Sequence, residues 1–142
     1  MKKILQLITK PNELQYHELL LRLYMGAVMT WHGQGKLFNL DGTAMFFSKI
    51  GVEPAYPMAV IASLGETLGG IAVLLGCFTR LGAFANCISL TVAFVLLGWP
   101  NGFDVRVGGY EYQGALLVAY IFILVNGAGK YSVDKLIYSK AQ

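Results

Sequence analysis

The chain of 142 residues is apolar for its size: 56% of its residues are hydrophobic, 13% are charged, and its mean hydropathy is +0.56. An ordinary soluble domain carries roughly 25% charged residues. One this short lacks the interior volume to bury so much apolar surface. The composition therefore predicts a membrane protein whose first partner is the lipid bilayer. The net charge of +3 comes without a basic run or helix face, which argues against nucleic-acid binding.

Four apolar stretches predict four membrane-spanning helices, because about 20 apolar residues are needed to cross the hydrocarbon core. They run over about 14–31, 55–75, 81–99 and 112–128, with glycine-, asparagine- and proline-containing segments between them. The predicted fold is an all-α membrane protein, a four-transmembrane-helix bundle in a single domain over residues 1–142. In the first loop, Thr43–Ile50 predicts a short amphipathic helix capped by Asp41 or Thr43.

Lysine and arginine residues are divided unevenly between the two sides of this bundle. One side carries seven, namely Lys2, Lys3, Lys10, Arg80, Lys130, Lys135 and Lys140, and the other carries three, namely Lys36, Lys49 and Arg106. Because cytoplasmic loops are the more basic, both termini are predicted to be cytoplasmic. Residues 1–13 lack the long apolar run of a cleavable signal, so the helices themselves are expected to direct the chain to the membrane.

Arg22 and Glu66 place charges within the first and second apolar stretches. A charge in a membrane helix usually faces the protein interior and finds a partner. The two residues lie roughly 12 and 13 Å from the same side by the rise of a helix. Their similar depths predict an intramembrane charged pair, either a structural link between two helices or the centre of a ligand, proton or quinone site. Gly26, Gly69 and Gly70 share the stripes of these charges and predict close helix packing.

The external end of the first helix carries His32 and Lys36. These are either interfacial side chains or the rim of a pocket, with His32 able to transfer protons near neutral pH. Met29 and Tyr120 are candidate lining residues on the helices, where simple packing is the alternative. Glu111 lies near the external mouth at a predicted helix N-terminus, which favours a carboxylate.

The remaining polar residues indicate no self-sufficient chemistry, so the catalytic residues stay unknown and enzymatic activity stays open. Asn86 and Gln113, on the third and fourth helices, predict interhelical hydrogen bonds. Cys77 and Cys87 form no C-x-x-C motif, and no histidine or cysteine has metal-ligand spacing, so no metal site is predicted. There is also no phosphate-binding loop, haem motif or serine nucleophile elbow.

Six short motifs follow one another along the chain. In order they are L-L-R-L-Y-M-G, W-H-G-Q-G-K, F-F-S-K-I-G-V-E-P, L-L-G-C-F-T-R-L-G-A, G-Y-E-Y and G-A-G-K-Y-S-V-D. In this order and spacing the chain resembles the DoxX family over nearly its whole length. The resemblance implies a multi-pass, four-helix protein of the bacterial inner membrane with a link to membrane redox processes. Some relatives are grouped with quinone-linked thiosulfate oxidation or with antioxidant and sulfur-transfer enzymes. The positions that match the family's motifs are Arg22, His32, Gly33, Lys36, Glu66, Gly69, Gly70, Glu111, Tyr131, Ser132 and Asp134.

Three functions remain open from the sequence. The first is a membrane subunit or anchor of an oxidoreductase complex, with a quinone as the candidate cofactor and soluble or membrane redox proteins as partners. The second is a small transporter, against which Arg22 counts as a fixed counter-charge that would hold Glu66 ionised. The third is a non-catalytic scaffold, for which Glu66→Gln would change stability or assembly alone. A homo-oligomer is compatible with each.

Overall fold

The computed structural model describes residues 16–140, which fold into six α-helices with no β-strand among them. The helices are α1 Tyr16–Leu37, α2 Leu40–Lys49, α3 Ala55–Leu75, α4 Thr79–Ala93, α5 Glu111–Asn126 and α6 Val133–Lys140. A π-helical turn, Phe94–Gly98, and a 3-10 turn, Trp99–Asn101, prolong α4. The all-helical prediction is thus confirmed for these residues. The predicted start of the first helix at residue 14, and the three lysines before it, lie outside the described residues.

The four long helices pack in a ring, in which α1 contacts α3, α3 contacts α4, α4 contacts α5, and α5 returns to α1. The antiparallel helices α1 and α3 approach most closely at glycines. A Cβ atom at Gly26 would lie 2.6 Å from the backbone nitrogen of Leu74, and one at Gly70 would lie 2.5 Å from that of Thr30. Backbones can pack this tightly only where a side chain is missing, so these glycines set the separation of α1 and α3.

The first helix is longer than the sequence predicts. Glycines after Trp31 predict its end there, but α1 continues to Leu37. Gly33 lies directly against Thr67 of α3, where a Cβ would collide with the Thr67 backbone. The glycine therefore serves helix packing rather than termination, and this contact outweighs its poor helix propensity.

The short helix α2 occupies the predicted position in the first loop, but its N-cap is Asn39 rather than Asp41 or Thr43. The Asn39 side-chain oxygen accepts a hydrogen bond from the Gly42 backbone N–H at 3.2 Å. The Thr43 hydroxyl donates instead to the Asn39 carbonyl at 2.8 Å. The chain leaves α1 at Leu37 with only two residues before α2, so Asn39 is the residue in the capping position.

Within residues 16–140, two helices are long and apolar enough to cross a membrane, namely Ala55–Leu75 and the continuous segment Thr79–Asn101. Only 33% and 28% of their most apolar windows are buried within the protein. A core helix of a soluble protein would bury most of such a window, whereas these helices present apolar side chains outward. Glu111–Asn126 is also apolar, but shorter.

The two ends of the ring differ in what they bring together. At one end, called the link end, the α3–α4 link (residues 76–78) meets the chain that enters α6. There the Asp134 carboxylate accepts hydrogen bonds from the backbone N–H groups of Phe78 and Thr79 at 2.7 and 2.9 Å. At the other end, called the α2 end, the end of α1 lies beside the start of α5, since His32 contacts Tyr112.

Candidate functional site

A buried carboxylate and a half-exposed ammonium form an ion pair at the α2 end. Lys36 Nζ on α1 donates to Glu66 Oε1 on α3. Close contact of the helices at Gly33 brings Glu66 beside α1, and Lys36 follows Gly33 by three residues on the same helix face. The Glu66 side chain is 4% exposed and that of Lys36 is 34% exposed. The pair thus connects the protein interior with its surroundings.

The second carboxylate oxygen of Glu66 is unused. Glu66 Oε2 is buried and makes no hydrogen bond to any of residues 16–140. A buried carboxylate oxygen without a donor is costly, because burial has removed its water. This oxygen is therefore available to accept a hydrogen bond from a ligand or a water molecule.

Two amide side chains provide further buried polar atoms that are unused. Asn86 on α4 is fully buried, and neither its oxygen nor its nitrogen has a partner among the described residues. It lies against Gly69, one turn from Glu66, where an added Cβ would be 2.9 Å from the amide nitrogen. The side-chain oxygen of Gln113, at the start of α5, is likewise buried and unpaired within residues 16–140. The interhelical hydrogen bonds predicted for Asn86 and Gln113 are therefore not formed there.

His32 lies at the same end as the ion pair, one turn before Lys36 on α1. Its Nε2 atom is 3.5 Å from the Tyr112 hydroxyl, and the two rings are 6.4 Å apart. Both side chains are exposed. The structure thus brings together His32, Lys36 and Glu66, three of the residues that the sequence singles out, with Tyr112 as an additional neighbour.

Arg22 and Glu66 are not paired with each other. Arg22 is buried, with 1% of its surface exposed, and donates to two backbone carbonyls. One is that of Val73 at 3.1 Å, and the other is that of Tyr131 at 2.6 Å. Arg22 therefore joins α1, α3 and the segment before α6 at the link end, whereas Glu66 pairs with Lys36 at the α2 end.

Helix register explains this difference from the predicted pair. Gly33 lies beside Glu66, whereas Arg22 lies beside Val73 and Gly76. Arg22 is eleven residues before Gly33 on α1, or roughly 16 Å along the helix at 1.5 Å per residue. The predicted depths count residues from assumed helix ends, and α1 and α3 do not end at the same level. The offset between the ends of α1 and α3 cannot be predicted from the helix lengths or from the apolar pattern.

The other candidate lining residues have structural contacts. Met29 and Tyr120 are buried in the core, and the Tyr120 hydroxyl donates to the Met25 carbonyl at 3.0 Å. The Glu111 carboxylate accepts from the Val105 backbone N–H at 3.3 Å, so it stabilises the loop before α5. None of these contacts links Met29, Tyr120 or Glu111 to the Lys36–Glu66 pair.

A model of the DoxX family matches residues 17–99, which is more than half of the chain. The chain belongs to the DoxX family. This DoxX protein is accordingly a membrane protein, in agreement with the apolar outer surfaces of α3 and α4. Residues 17–99 include Arg22, Lys36 and Glu66, and thus both the ion pair and the buried arginine.

Individual relatives extend the similarity beyond that match. The DoxX chain is 29% identical to a Bacillus subtilis protein named "Putative oxidoreductase CatD", over 84% of this chain and 86% of that protein. It is 30% identical to the uncharacterized membrane protein Rv3486 of Mycobacterium tuberculosis, over 85% of this chain and 81% of that one. An uncharacterized Haemophilus influenzae protein is 30% identical over 73% of this chain and 84% of its own length. No solved structure matches the chain.

Proposed function

We propose that this DoxX protein is a multi-pass subunit of an oxidoreductase assembly in the bacterial plasma membrane, and that its Lys36–Glu66 pair binds a quinone headgroup. The observation that carries the proposal is the buried, unused oxygen of Glu66 beside a lysine that reaches the surface. The name of the Bacillus subtilis relative supports the redox part. Membership of a membrane family supports the location.

The proposed topology has four spans with both termini in the cytoplasm. It would add α1 and α5 to the two helices that meet the length and hydropathy requirements. Packing in a ring supports this, because α1 and α5 both flank the two apolar helices. The buried hydrogen bonds of Arg22 would also remove its charge from contact with lipid. Under this topology the link end is cytoplasmic and the α2 end is external.

The polar groups at the α2 end match the two forms of a quinone. The oxidised form has carbonyl oxygens that accept hydrogen bonds, and the Lys36 ammonium is a donor. The reduced form has hydroxyl groups that donate, and Glu66 Oε2 is an acceptor that lacks a donor. The amide of Asn86 supplies both a donor and an acceptor. These residues would bind and orient the headgroup, and Glu66 would relay to it, from the surroundings, the protons that reduction requires.

The electrons would come from a partner protein. The sequence has no haem, phosphate-loop or C-x-x-C motif of its own, so the DoxX chain would supply the membrane site and a soluble or membrane redox protein would supply the reductant. A quinone takes up two electrons and two protons on reduction. The proposal therefore requires both a proton route, for which the Lys36 end is open to the surroundings, and a docked partner.

The test is the quinone content of the protein purified in mild detergent. We expect stoichiometric quinone in the wild type and its loss in Glu66→Gln and Lys36→Gln. The matched control is Glu111→Gln, which removes the same charge from a carboxylate that bonds only within its own loop. Each variant is assayed well below its own unfolding temperature, so that only folded protein is compared. Absence of quinone from the wild-type protein would refute the quinone site, as would equal retention in Glu66→Gln.

A small transporter is the second candidate, and one observation favours it. Transport coupled to protons needs a carboxylate that can change its partner, and Glu66 has one oxygen engaged and one unused. Its counter-charge is the partly exposed Lys36 rather than the fully buried Arg22, so exchange of the partner needs no movement in the core. Proton flux into liposomes that contain the quinone-free protein, abolished by Glu66→Gln, would favour transport.

A further inference from the structure

A groove of about 530 Å³ lies at the link end, on the opposite side of the protein from the Lys36–Glu66 pair. It is formed by the start of α4, the end of α5 and the chain that enters α6. Polar and apolar side chains both contribute to its walls. They include Thr79, Arg80, Leu81, Asp134, Lys135 and Tyr138.

Two cations of the groove have no acidic partner among residues 16–140. Arg80 uses one guanidinium nitrogen to donate to the Val125 carbonyl at 3.1 Å. The Lys135 ammonium lies 5.5 Å from the centre of the Tyr138 ring. The acid that lines the groove is Asp134, and its carboxylate is already engaged by two backbone N–H groups. Arg80 and Lys135 are therefore the cations that the groove offers to an anion, and the Glu18 carboxylate lies beside Gly129 at its edge.

A buried hydroxyl in the groove has no partner either. Thr79 is fully buried, and its Oγ1 makes no hydrogen bond within the described part of the chain. Most helical threonines avoid this by donating to the carbonyl four residues earlier, as Thr67 does to Ser63 at 2.7 Å. Thr79 is the first residue of α4 and has no such carbonyl in its own helix. Its hydroxyl is thus a buried hydrogen-bonding group without a partner, on a residue that lines the groove.

The groove opens onto apolar surface. Leu81, Phe84 and Ile88 are all exposed and follow one another on a single face of α4. Leu81 also lines the groove, so this face continues directly from it. An apolar strip of three residues rising from a cationic groove matches a ligand with an anionic head and an aliphatic tail, rather than a purely polar partner.

We propose that this groove binds the phosphate of an anionic phospholipid, with Arg80 and Lys135 contacting the phosphate and an acyl chain lying along Leu81, Phe84 and Ile88. The proposal rests on the membrane location and is independent of the quinone site at the other end. Lipid bound here would fasten α6 and the end of α5 to the start of α4. Those are the elements that Asp134 and Arg80 already join.

The experiment is native mass spectrometry of the full chain in mild detergent with phosphatidylglycerol, phosphatidylcholine or inorganic phosphate. We expect retention of one phosphatidylglycerol, at least tenfold stronger than that of phosphatidylcholine. Lys135→Gln and Arg80→Gln should each weaken retention about fivefold or more. The matched control is Lys140→Gln, which removes the same charge from α6 at a residue outside the groove.

Arg80→Gln also removes the bond to Val125 and so risks misfolding. Lys135→Gln removes no such bond, and Arg80→Lys keeps the positive charge. If Arg80→Gln is unstable, lipid retention by these two variants tests the proposal. Equal retention of the two lipids would overturn the proposal. Displacement of phosphatidylglycerol by inorganic phosphate would assign the groove to a free anion instead. If Lys140→Gln weakened retention of phosphatidylglycerol as much as Lys135→Gln does, the effect would come from general surface charge, and the proposal would be wrong.

Discussion

The side chain of Arg22 donates to the carbonyl oxygen of Tyr131 at 2.6 Å, across 109 residues of sequence. The same guanidinium donates to Val73 at the end of α3. One buried arginine thus fastens the start of α1 to the segment that precedes α6. Both residues belong to the motifs that suggest a resemblance to DoxX proteins in the sequence, and those two motifs meet in one structural contact.

Replacement of Arg22 by methionine should destabilise the link end. The change leaves the Tyr131 carbonyl without its buried donor, a loss of about 2 kcal/mol for a hydrogen bond from a charged group. Thermal unfolding in detergent should show a lower midpoint. Limited proteolysis should show earlier cleavage between Gly127 and Ser132 than in the wild type.

The control for Arg22→Met is Arg106→Gln. Arg106 is an exposed residue that pairs with Asp104 inside one loop, and exposed pairs contribute little to stability. Arg22→Lys should fall between wild type and Arg22→Met, because lysine keeps the charge but cannot present two donors in a planar fork. If Arg22→Met and Arg106→Gln unfold at the same temperature, Arg22 does not fasten the link end.

The two halves of the Lys36–Glu66 pair should not be equivalent. Lys36→Gln leaves the buried carboxylate without a cation, at a cost of about 2–4 kcal/mol. Glu66→Gln leaves an ammonium that is already 34% exposed and can turn outward, so its cost should be about 1 kcal/mol. The free energies of unfolding of both variants and of the double variant, taken as a double-mutant cycle, give the coupling. A larger cost for Glu66→Gln than for Lys36→Gln would contradict the burial seen here.

The sequence predicts the bounds of α3, because Pro54 and Gly76 stop at both ends an apolar run that only Glu66 interrupts. It did not predict the length of α1. Gly33 and Gly35 look alike as helix breakers, yet a Cβ added at Gly33 would collide with α3, whereas one added at Gly35 would meet no atom within 4 Å. Propensity is a local property, whereas the contact of Gly33 depends on a helix thirty residues away.

The sequence also singled out most residues of the candidate site but not their partners. Charge within an apolar stretch drew attention to Glu66, and the motif shared with DoxX proteins drew attention to His32 and Lys36. The pairing itself depends on the offset between α1 and α3, which small residues at their interface determine.

Gly70→Ala should be strongly destabilising, because its new Cβ would lie 2.5 Å from the backbone nitrogen of Thr30. Backbone cannot move aside as a flexible side chain can, so α1 and α3 would have to separate. Overpacking of this kind costs about 1–3 kcal/mol. Unfolding by heat or by a denaturing detergent measures the loss.

Gly65→Ala is a matched control for Gly70→Ala, since it makes the same change in the same helix. No atom lies within 4 Å of a Cβ at Gly65, so the substitution removes a flexible residue from a helix without a clash. It should be neutral or stabilising, by up to about 1 kcal/mol. Equal behaviour of the two variants would show that α1 and α3 are not in close contact at Gly70.

The loop before α5 should respond to acid through Asp104. Hydrogen bonds from the Arg106 side chain and backbone hold the pKa of the Asp104 carboxyl below its usual value. A lowered pKa in the folded state gives a stabilising contribution that is complete above the unfolded value of about 3.9 and is lost as the pH falls through the lower folded value. We expect hydrogen-exchange protection of the Arg106 amide to be steady from pH 7 to about 4 and to decline below it. In the Asp104→Asn variant, protection of the Arg106 amide should be weak at every pH.

The internal reference is the Gly42 amide, which donates to the non-titrating Asn39 side chain. Protection of Arg106 that stays level down to pH 2 would show that the Asp104 charge does not hold this loop.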